Sequence, residues 1–204
     1  MSRYVIGLTG GIACGKSHLA RTLRDAGARI VDADGISRSL TAEGGKALPA
    51  IREAFGEAVF RGETLDRRAL GAKVFSDEAA RGRLNAILHP MIFEEMRRQI
   101  EEADGPVVMD VPLLYETGLD AWCDEIWCAY VPVKEQISRL RSRDGLTCRE
   151  ARDRVRAQLP AREKARRADR VIRTDRSREE SAAEALRLWR AVLAKSSSEG
   201  ENAH

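Results

Sequence analysis

Gly-Gly-Ile-Ala-Cys-Gly-Lys-Ser, residues 10–17, is the stretch that decides the fold. It matches G-x-x-x-x-G-K-[ST], a pattern typical of a loop whose backbone N–H groups surround the phosphates of a nucleotide. Residues 4–9, just before it, form a short apolar run that predicts a buried parallel strand. After it, Leu19, Ala20 and Leu23 recur at helical spacing. A strand, a glycine-rich loop and a helix in this order predict a nucleotide-binding site.

Each part of the loop has a chemical task in such a site. Gly10 and Gly15 let the main chain approach a phosphate where a Cβ would obstruct it. The helix that begins near Lys16 contributes unpaired N–H groups and the positive end of its dipole. We expect Lys16 to contact the β- and γ-phosphates of a nucleotide and the Ser17 hydroxyl to ligate Mg²⁺. The predicted nucleotide-binding residues are Gly10, Gly11, Ile12, Ala13, Cys14, Gly15, Lys16 and Ser17. The alternative is a glycine-rich turn that only joins a strand to a helix.

Size and composition are those of an ordinary globular protein. The chain has 204 residues, of which 33% are charged and 43% hydrophobic, enough for one α/β domain with an insertion. No apolar run approaches the length of a membrane span, and the N-terminus shows no signal-peptide pattern, so we expect a cytoplasmic protein that does not bind membranes. Neither composition nor motifs indicate an oligomeric state.

Four cysteines, Cys14, Cys123, Cys128 and Cys148, lack the spacing of a zinc site and are expected to be reduced. Cys14 lies inside the loop, where a helix N-terminus could lower the pKa of its thiol. A small residue that fills space is the preferred interpretation.

A second short strand, Arg29 to Asp32, is predicted to end in a pair of carboxylates. Asp32 and Asp34 would then lie at the carboxyl edge of the sheet, where open α/β folds bind their ligands. One of them is a candidate general base for a substrate hydroxyl, and the other a candidate for holding metal-bound water or fixing the loop. Alternatively, one of them caps the helix that starts near Gly35. The residues alone do not say which aspartate is the base.

The stretch from Ser37 to Ala103 is helical in pattern and contains no convincing strand. We predict that residues 37–103 form a helical, substrate-holding insertion in the fold. Within it, the pair His89 and Pro90 is predicted to lie where one helix ends and the next begins. His89 is either a ligand contact or a residue that hydrogen-bonds the backbone at that junction.

Three further strands are predicted at residues 106–112, 125–131 and 168–173. Asp110, near the end of the first of these, could hold Mg²⁺ through water, or it could face another part of the core edge. Residues 182–193 read as a closing amphipathic helix, and residues 196–204 as a disordered tail.

A basic segment follows the fourth strand, with sixteen Lys and Arg against seven Asp and Glu between Lys134 and Arg178. Residues 133–144 predict a helix that ends before Gly145, and the pattern T-x-x-E at residues 147–150 predicts the start of another. We expect a lid over residues 139–166. Arg139 and Arg143 share one helical face and are candidates for stabilising charge on a transferred phosphoryl group, although such arginines also occur on solvated surfaces.

The chain resembles the dephospho-CoA kinase family over nearly its whole length. The resemblance rests on residues 8–12 with Lys16 and Ser17, residues 31–34, residues 84–90, residues 112–116, residues 136–145 and Gln158. It implies a P-loop NTPase fold of the nucleoside-monophosphate-kinase type, with a parallel five-stranded sheet flanked by helices, a helical substrate domain and a lid. It also implies ATP and dephospho-CoA as substrates, Mg²⁺ as cofactor and no nucleic-acid partner.

The resemblance further assigns roles to residues. It implies that Asp34 is the base facing the substrate hydroxyl, that the insertion with His89 and Pro90 shapes the coenzyme site, and that Arg139 and Arg143 bind phosphate. The core would comprise residues 1–36 and 104–195. Members of the family often carry Asn followed closely by Gly after the last strand, whereas this chain has Thr174-Asp175-Arg176, which leaves a contact to adenine from that loop open.

Two other functions would use the same features of the sequence. A kinase of another small molecule, such as a nucleotide or a sugar-like alcohol, would use the same loop. A nucleotide-dependent RNA-binding or switch protein would use the basic segment, but few aromatic residues are available there for base stacking.

Overall fold

The structure, a computed structural model, describes residues 3–201, without the side chains of residue 76 and residues 197–201. Its strands are β1 (Val5–Gly10), β2 (Arg29–Asp32), β3 (Phe60–Arg61), β4 (Thr64–Leu65), β5 (Val107–Asp110), β6 (Glu125–Tyr130) and β7 (Arg170–Arg173). Its α-helices are α1 (Lys16–Asp25), α2 (Ala33–Leu40), α3 (Leu48–Phe55), α4 (Arg67–Ser76), α5 (Glu78–Glu101), α6 (Val133–Asp144), α7 (Cys148–Arg156), α8 (Ala161–Arg167) and α9 (Arg178–Glu201).

Five strands form one sheet in the order β2-β5-β1-β6-β7. The central strand β1 pairs in parallel with β5 on one side and with β6 on the other, and β6 pairs in parallel with β7. All six residues of β1 are buried, as expected for a strand covered on both faces. The predicted five-stranded parallel sheet is confirmed.

Contacts divide the chain into two compact units. The first, here called the core unit, contains the residues up to Val31 and those from Ala103 onward; the second, the insertion unit, is Asp32–Glu102. The predicted insertion, residues 37–103, begins inside the helix α2, which spans residues 33–40. Its bounds and its role as a substrate-holding domain stay a prediction.

The core unit is built around apolar side chains from β1, β6 and two helices. Leu19 and Leu23 of α1 join Trp189 and Val192 of α9 in one buried cluster that also contains Trp127 of β6. The helix α6 and the T-x-x-E start of α7 are found as predicted, with a capping box between Thr147 and Glu150. None of the described helices is long and apolar enough to cross a membrane.

The insertion unit departs from prediction in two places. Residues 60–65 form a small antiparallel hairpin, β3 with β4, where no strand was expected. Its strands are only two residues long, too short for a periodic pattern to show. Pro90 lies inside the 24-residue helix α5 rather than between two helices. Apolar residues on both sides of the proline, Leu84, Ile87, Leu88 and Met91, pack against the same cluster and keep the helix continuous.

The predicted disordered tail is also wrong in part. The helix α9 runs to Glu201, well past the predicted end at Leu193, and residues 202–204 lie outside the described residues. It also starts earlier than predicted, because Ser177 and Glu180 exchange capping hydrogen bonds of 2.9 and 3.0 Å. With its middle packed in the core, the helix can propagate at small cost per residue.

Candidate active site

The candidate nucleotide site is the loop between β1 and α1. The N–H of Cys14 donates to the carbonyl of Gly11 at 3.0 Å, which closes a tight turn over residues 11–14. Ala13, the third residue of this turn, has a φ of 61° and is the one described non-glycine residue with positive φ. A positive φ at this position is the feature of a type II turn. Gly15 follows with a φ of 79° and precedes the first residue of α1.

Two glycines of the loop lie in close packing. A Cβ on Gly10 would lie 2.7 Å from the carbonyl oxygen of Ala129, and a Cβ on Gly11 would lie 2.6 Å from Nε2 of Gln136. At Gly10 the obstacle is backbone, so a larger residue would push the loop away from β6, whereas at Gly11 the end of the Gln136 side chain would have to move. The predicted approach of Gly10 to a phosphate stays a prediction.

Three successive carbonyl oxygens of the loop accept hydrogen bonds from other elements of the core unit. Nε2 of Gln136 donates to the carbonyl of Ile12 at 2.7 Å. A guanidinium nitrogen of Arg139 donates to the carbonyl of Ala13 at 3.4 Å, and the Thr174 hydroxyl donates to the carbonyl of Cys14 at 2.7 Å. In a trans peptide the N–H points opposite to the C=O. The N–H groups of Ala13 and Gly15 are therefore turned away from these three donors.

The start of the loop is held as well. The N–H of Ile12 donates to Oε1 of Gln158 at 3.0 Å. This N–H consequently belongs to a contact within the protein, although the motif groups Ile12 with the nucleotide-binding residues.

The two residues that complete the motif have different surroundings. Nζ of Lys16 forms an ion pair with Asp110, the last residue of β5, and both side chains are largely buried. The Ser17 side chain is exposed at the first turn of α1. The structure thus brings together three predicted site residues of the core unit at the carboxyl ends of two neighbouring strands.

Cys14 is a packing residue. It is 1% exposed and belongs to the main apolar cluster. Burial raises the pKa of its thiol above the ordinary value, and this outweighs hydrogen bonds and positive charges that act in the opposite direction. Burial therefore dominates the pKa of this thiol, and the interpretation as a space-filling residue is confirmed.

The two candidate lid arginines have different partners. Arg139 contacts the loop at Ala13 and also donates to the side-chain oxygen of Thr174 at 3.4 Å and to Glu135 at 2.9 Å. Arg143 is more exposed and pairs with the neighbouring Asp144 at 2.7 Å. This contact holds the pKa of Asp144 below its usual range. Among the described residues, then, only the first of the two arginines reaches the loop.

A fully buried lysine, Lys164 of α8, connects the turn after β5 to the region between α7 and α8. Its Nζ donates to the carbonyl of Pro112 at 2.6 Å and lies 2.8 Å from Oε1 of Glu116. Glu116 accepts in addition from the N–H of Leu159 at 3.0 Å, directly after Gln158. The Thr9 hydroxyl donates to the same Pro112 carbonyl at 3.2 Å. These contacts link the end of β1 to the residue that follows Gln158.

The remaining predicted residues lie in the insertion unit. Asp32 ends β2 and pairs with Arg38 at 3.2 Å, whereas Asp34, in the first turn of α2, is exposed and has no described hydrogen bond or ion pair within residues 3–201. Neither aspartate caps α2 through its side chain. His89 stacks on Phe93 at 5.5 Å between ring centroids. Pro90 lines a groove of about 410 Å³ with Phe93, Glu94, Arg97, Arg98 and Glu101.

The oxygen groups near the loop fit a Mg²⁺ ion that is also coordinated by a nucleotide and by water. Ser17 offers a hydroxyl and Asp110 a carboxylate, the hard oxygen ligands that this ion prefers. Within the described residues no cluster of three or more acidic, His or Cys side chains could hold a metal by itself.

Sequence reasoning missed part of this site. From the sequence, Gln136 and Gln158 carry only the resemblance to the family, Thr174 bears only on a contact to adenine, and Lys164 has no predicted role. Gln136 lies three residues before Arg139 on α6, so helical spacing could have placed it on the same face. Nothing in the sequence signals the contacts of Gln158 or Lys164.

A parallel sheet with this loop after its central strand defines a P-loop protein of the kinase type. The family model of CoaE, dephospho-CoA kinase, matches residues 4–180. The chain belongs to the dephospho-CoA kinase family.

Individual relatives agree with this assignment. A dephospho-CoA kinase from Symbiobacterium thermophilum is 43% identical over 98% of this chain and 87% of its own length. One from Anaeromyxobacter dehalogenans is 47% identical over 90% of each chain. The crystal structure of TT1252 from Thermus thermophilus superposes with a TM-score of 0.82 at 32% identity, covering 96% of this chain and 98% of that one. The predicted family, the predicted fold and the assignment as a phosphotransferase are confirmed.

Proposed function

We propose that this chain transfers the γ-phosphoryl group of ATP to the ribose 3′-hydroxyl of dephospho-CoA, giving coenzyme A and ADP. Phosphorylation of dephospho-CoA is the activity named for the family to which the chain belongs. The observation that carries the proposal in the structure is the loop after β1, whose carbonyls at residues 12, 13 and 14 are tied to other elements. Its free N–H face is then preorganised for phosphate, so little reorganisation is needed when ATP binds.

In the proposed reaction the 3′-oxygen attacks the γ-phosphorus while the bond from that phosphorus to the bridging oxygen of ADP breaks. The hydroxyl proton passes to a carboxylate, which we assign to Asp34. Asp34 is exposed and unpaired among the described residues, whereas the Asp32 carboxylate is engaged by Arg38. An unpaired carboxylate is free to accept a hydrogen bond from a substrate hydroxyl.

Lys16 is proposed to contact the β- and γ-phosphates. An ammonium group has three N–H donors, so Lys16 can keep its contact with Asp110 and still donate to phosphate oxygens. Arg139, held beside the loop, and Arg143, further along α6, are proposed to stabilise charge on the transferred group. For Arg143 this requires that its guanidinium leaves Asp144.

Mg²⁺, held by Ser17 and through water by Asp110, would neutralise charge on the phosphates. The groove beside Pro90, with His89 stacked next to it, is proposed to contribute to acceptor binding in the insertion unit. Residues 139–166 are proposed to act as the lid. A cytoplasmic location is part of the proposal, supported by four cysteines that all remain free thiols.

A coupled assay of ADP release tests the reaction, with ATP as donor and dephospho-CoA as acceptor. Turnover that depends on dephospho-CoA supports the proposal, and turnover only with another alcohol or nucleotide contradicts it. Asp34→Asn should lower kcat at least about 100-fold while ATP binding is retained. Asp32→Asn is the matched variant and should lose less. The reverse order would move the base to Asp32.

A further inference from the structure

The turn at residues 11–14 has an alanine at the position where its conformation favours glycine. The two common forms of such a turn, type I and type II, differ by a flip of the central peptide, here the one that joins Ile12 to Ala13. Type II requires a positive φ at the third residue and therefore favours glycine there. The chain has Ala13 at that position, with a φ of 61°. Intrinsic preference thus favours flipping this peptide, which would reverse the direction of the Ala13 N–H.

Gln136 opposes this flip. Its Nε2 donates at 2.7 Å to the Ile12 carbonyl, which is the oxygen of the peptide in question. If the peptide flipped, this oxygen would turn away and the hydrogen bond would be lost. Gln158 fixes the preceding peptide by accepting from the Ile12 N–H at 3.0 Å. Gln136 belongs to α6 and Gln158 to the segment after α7, so two separate parts of the chain hold the same loop residue.

Burial of the Gln136 amide lowers the stability of the folded protein. The side chain is 1% exposed, and its Oε1 has no hydrogen-bond partner within the part of the chain that the structure describes. A buried acceptor without a partner destabilises a folded protein. An apolar side chain of the same size would avoid that loss. Stability therefore does not explain this glutamine, whereas its hydrogen bond to the loop does.

We propose that Gln136 and Gln158 are positioning residues that hold the loop in its phosphate-binding form by clamping Ile12, with Gln136 setting the orientation of the Ile12–Ala13 peptide. The proposal rests on the proposed ATP site in this loop. It ties the geometry of that site to Gln158, which lies within the segment proposed as the lid and adjoins Leu159, whose N–H donates to Glu116 at 3.0 Å.

Gln136→Met tests the first part of the clamp. Methionine has a similar length and removes both the hydrogen bond to Ile12 and the unpaired oxygen. We expect KM for ATP to rise about tenfold, the value typical for loss of one buried hydrogen bond, while the melting temperature is not lowered. Adding Ala13→Gly should bring KM back toward the wild-type value, because glycine removes the bias toward the flipped peptide. An unchanged KM in Gln136→Met, or no recovery with glycine, overturns the proposal.

Gln158 provides a second test that also serves if Gln136→Met does not fold. Gln158→Glu keeps an oxygen that accepts from the Ile12 N–H, whereas Gln158→Met removes it. Amide hydrogen exchange at Ile12, measured without nucleotide, should accelerate at least about tenfold in Gln158→Met and stay near wild type in Gln158→Glu, with KM for ATP following the same order. Equal exchange or equal KM in the two variants contradicts the clamp.

Gln99→Met is the matched control, because the Gln99 amide donates to Glu95 within α5, in the insertion unit rather than at the loop. It should change neither KM for ATP nor exchange at Ile12. The exchange measurement does not involve dephospho-CoA, so the clamp and the proposed reaction fail separately: an enzyme that ignores dephospho-CoA would still show the exchange pattern if the clamp is correct.

Discussion

Nζ of Lys164 lies 2.8 Å from Oε1 of Glu116 although the lysine side chain is completely buried. Glu116 is the more accessible partner, with 26% of its side chain exposed. A charge with no access to water depends on its partner, because the cost of removing it from water must be recovered by the ion pair and by hydrogen bonds. The Pro112 carbonyl, 2.6 Å away, supplies one of these bonds.

Glu116→Gln should destabilise the protein by about 3 kcal/mol, because it leaves the Lys164 ammonium buried without a counter-charge. Lys164→Met should destabilise the protein less, because it removes the buried charge itself. The Glu116 carboxylate that then loses its partner already reaches solvent. Urea unfolding of the two single variants and the double variant measures this. The double variant should be more stable than Glu116→Gln alone, and additive losses would show that the two charges do not depend on each other.

Ala13→Gly alone should leave the protein slightly more stable, by about 0.5 to 1 kcal/mol. Relief of the left-handed conformation at Ala13 stabilises the folded state by about 1 to 2 kcal/mol. Glycine also gives the unfolded chain more conformational freedom, which offsets about 0.4 to 1 kcal/mol of this gain. Thermal or urea unfolding measures the difference. Ala20→Gly, inside α1, is the control and should destabilise, because that residue is helical and buried. A loss of stability in Ala13→Gly would mean that the positive φ carries no strain.

Arg139 and Arg143 should differ in the kinetic constant that they change. Arg139→Gln removes a contact with the Ala13 carbonyl, so KM for ATP should rise along with a fall in kcat. Arg143→Gln removes only the contact with Asp144, so any effect should fall on kcat and leave KM for ATP within about twofold. Steady-state kinetics with varied ATP makes the comparison. If KM for ATP rises in Arg143→Gln but not in Arg139→Gln, then Arg143, rather than Arg139, contributes to nucleotide binding.

The parts of the fold that the sequence predicts are those set by local pattern. The apolar run of β1, the spacing of Leu19 and Leu23 and the Thr147–Glu150 capping box each need only neighbouring residues, and each is found. Pro90 shows where local rules fail: its effect on α5 is overridden by packing of the helix on both sides. The tendency of Pro90 to interrupt a helix can be deduced from the sequence, whereas the packing that keeps α5 continuous depends on residues that contact it in the fold.

The candidate site also has a part that local sequence predicts and a part that depends on distant residues. The phosphate loop follows from eight consecutive residues, whereas the groups that hold it come from far away in the chain. Gln136 and Gln158 are 124 and 146 residues from Ile12, and Lys164 is 48 residues from Glu116. No periodicity marks such pairs, because their contact depends on how β6, α6 and α8 pack against β1. The hydrogen bonds of Gln136 and Gln158 to Ile12 therefore become visible only in the folded structure.

Thiol chemistry should distinguish Cys148 from the other cysteines. Cys148 is exposed, whereas burial raises the pKa of Cys123 and of Cys128 to about 12 and raises that of Cys14 as well. At neutral pH these three thiols carry almost no reactive thiolate. Labelling of the native protein with a thiol reagent should therefore show one fast site, which Cys148→Ser removes, and denaturant should expose the rest. Fast labelling of Cys14 would contradict its assignment as a packing residue.

Acid should weaken the insertion unit through Glu95. Hydrogen bonds from Arg98 and Gln99 lower the pKa of Glu95 to about 2, below the value of about 4.3 expected in the unfolded chain. The stabilisation is therefore fully present above about pH 4.5 and is lost as the pH falls toward 2. Because Arg98 is 54% exposed, we expect less than about 1 kcal/mol. Urea unfolding of Glu95→Gln at several pH values should give a flatter profile than wild type between pH 5 and 2. Glu102→Gln, which changes another partner of Arg98, is the control; a profile for Glu95→Gln as steep as that of wild type would show that this carboxylate is not responsible.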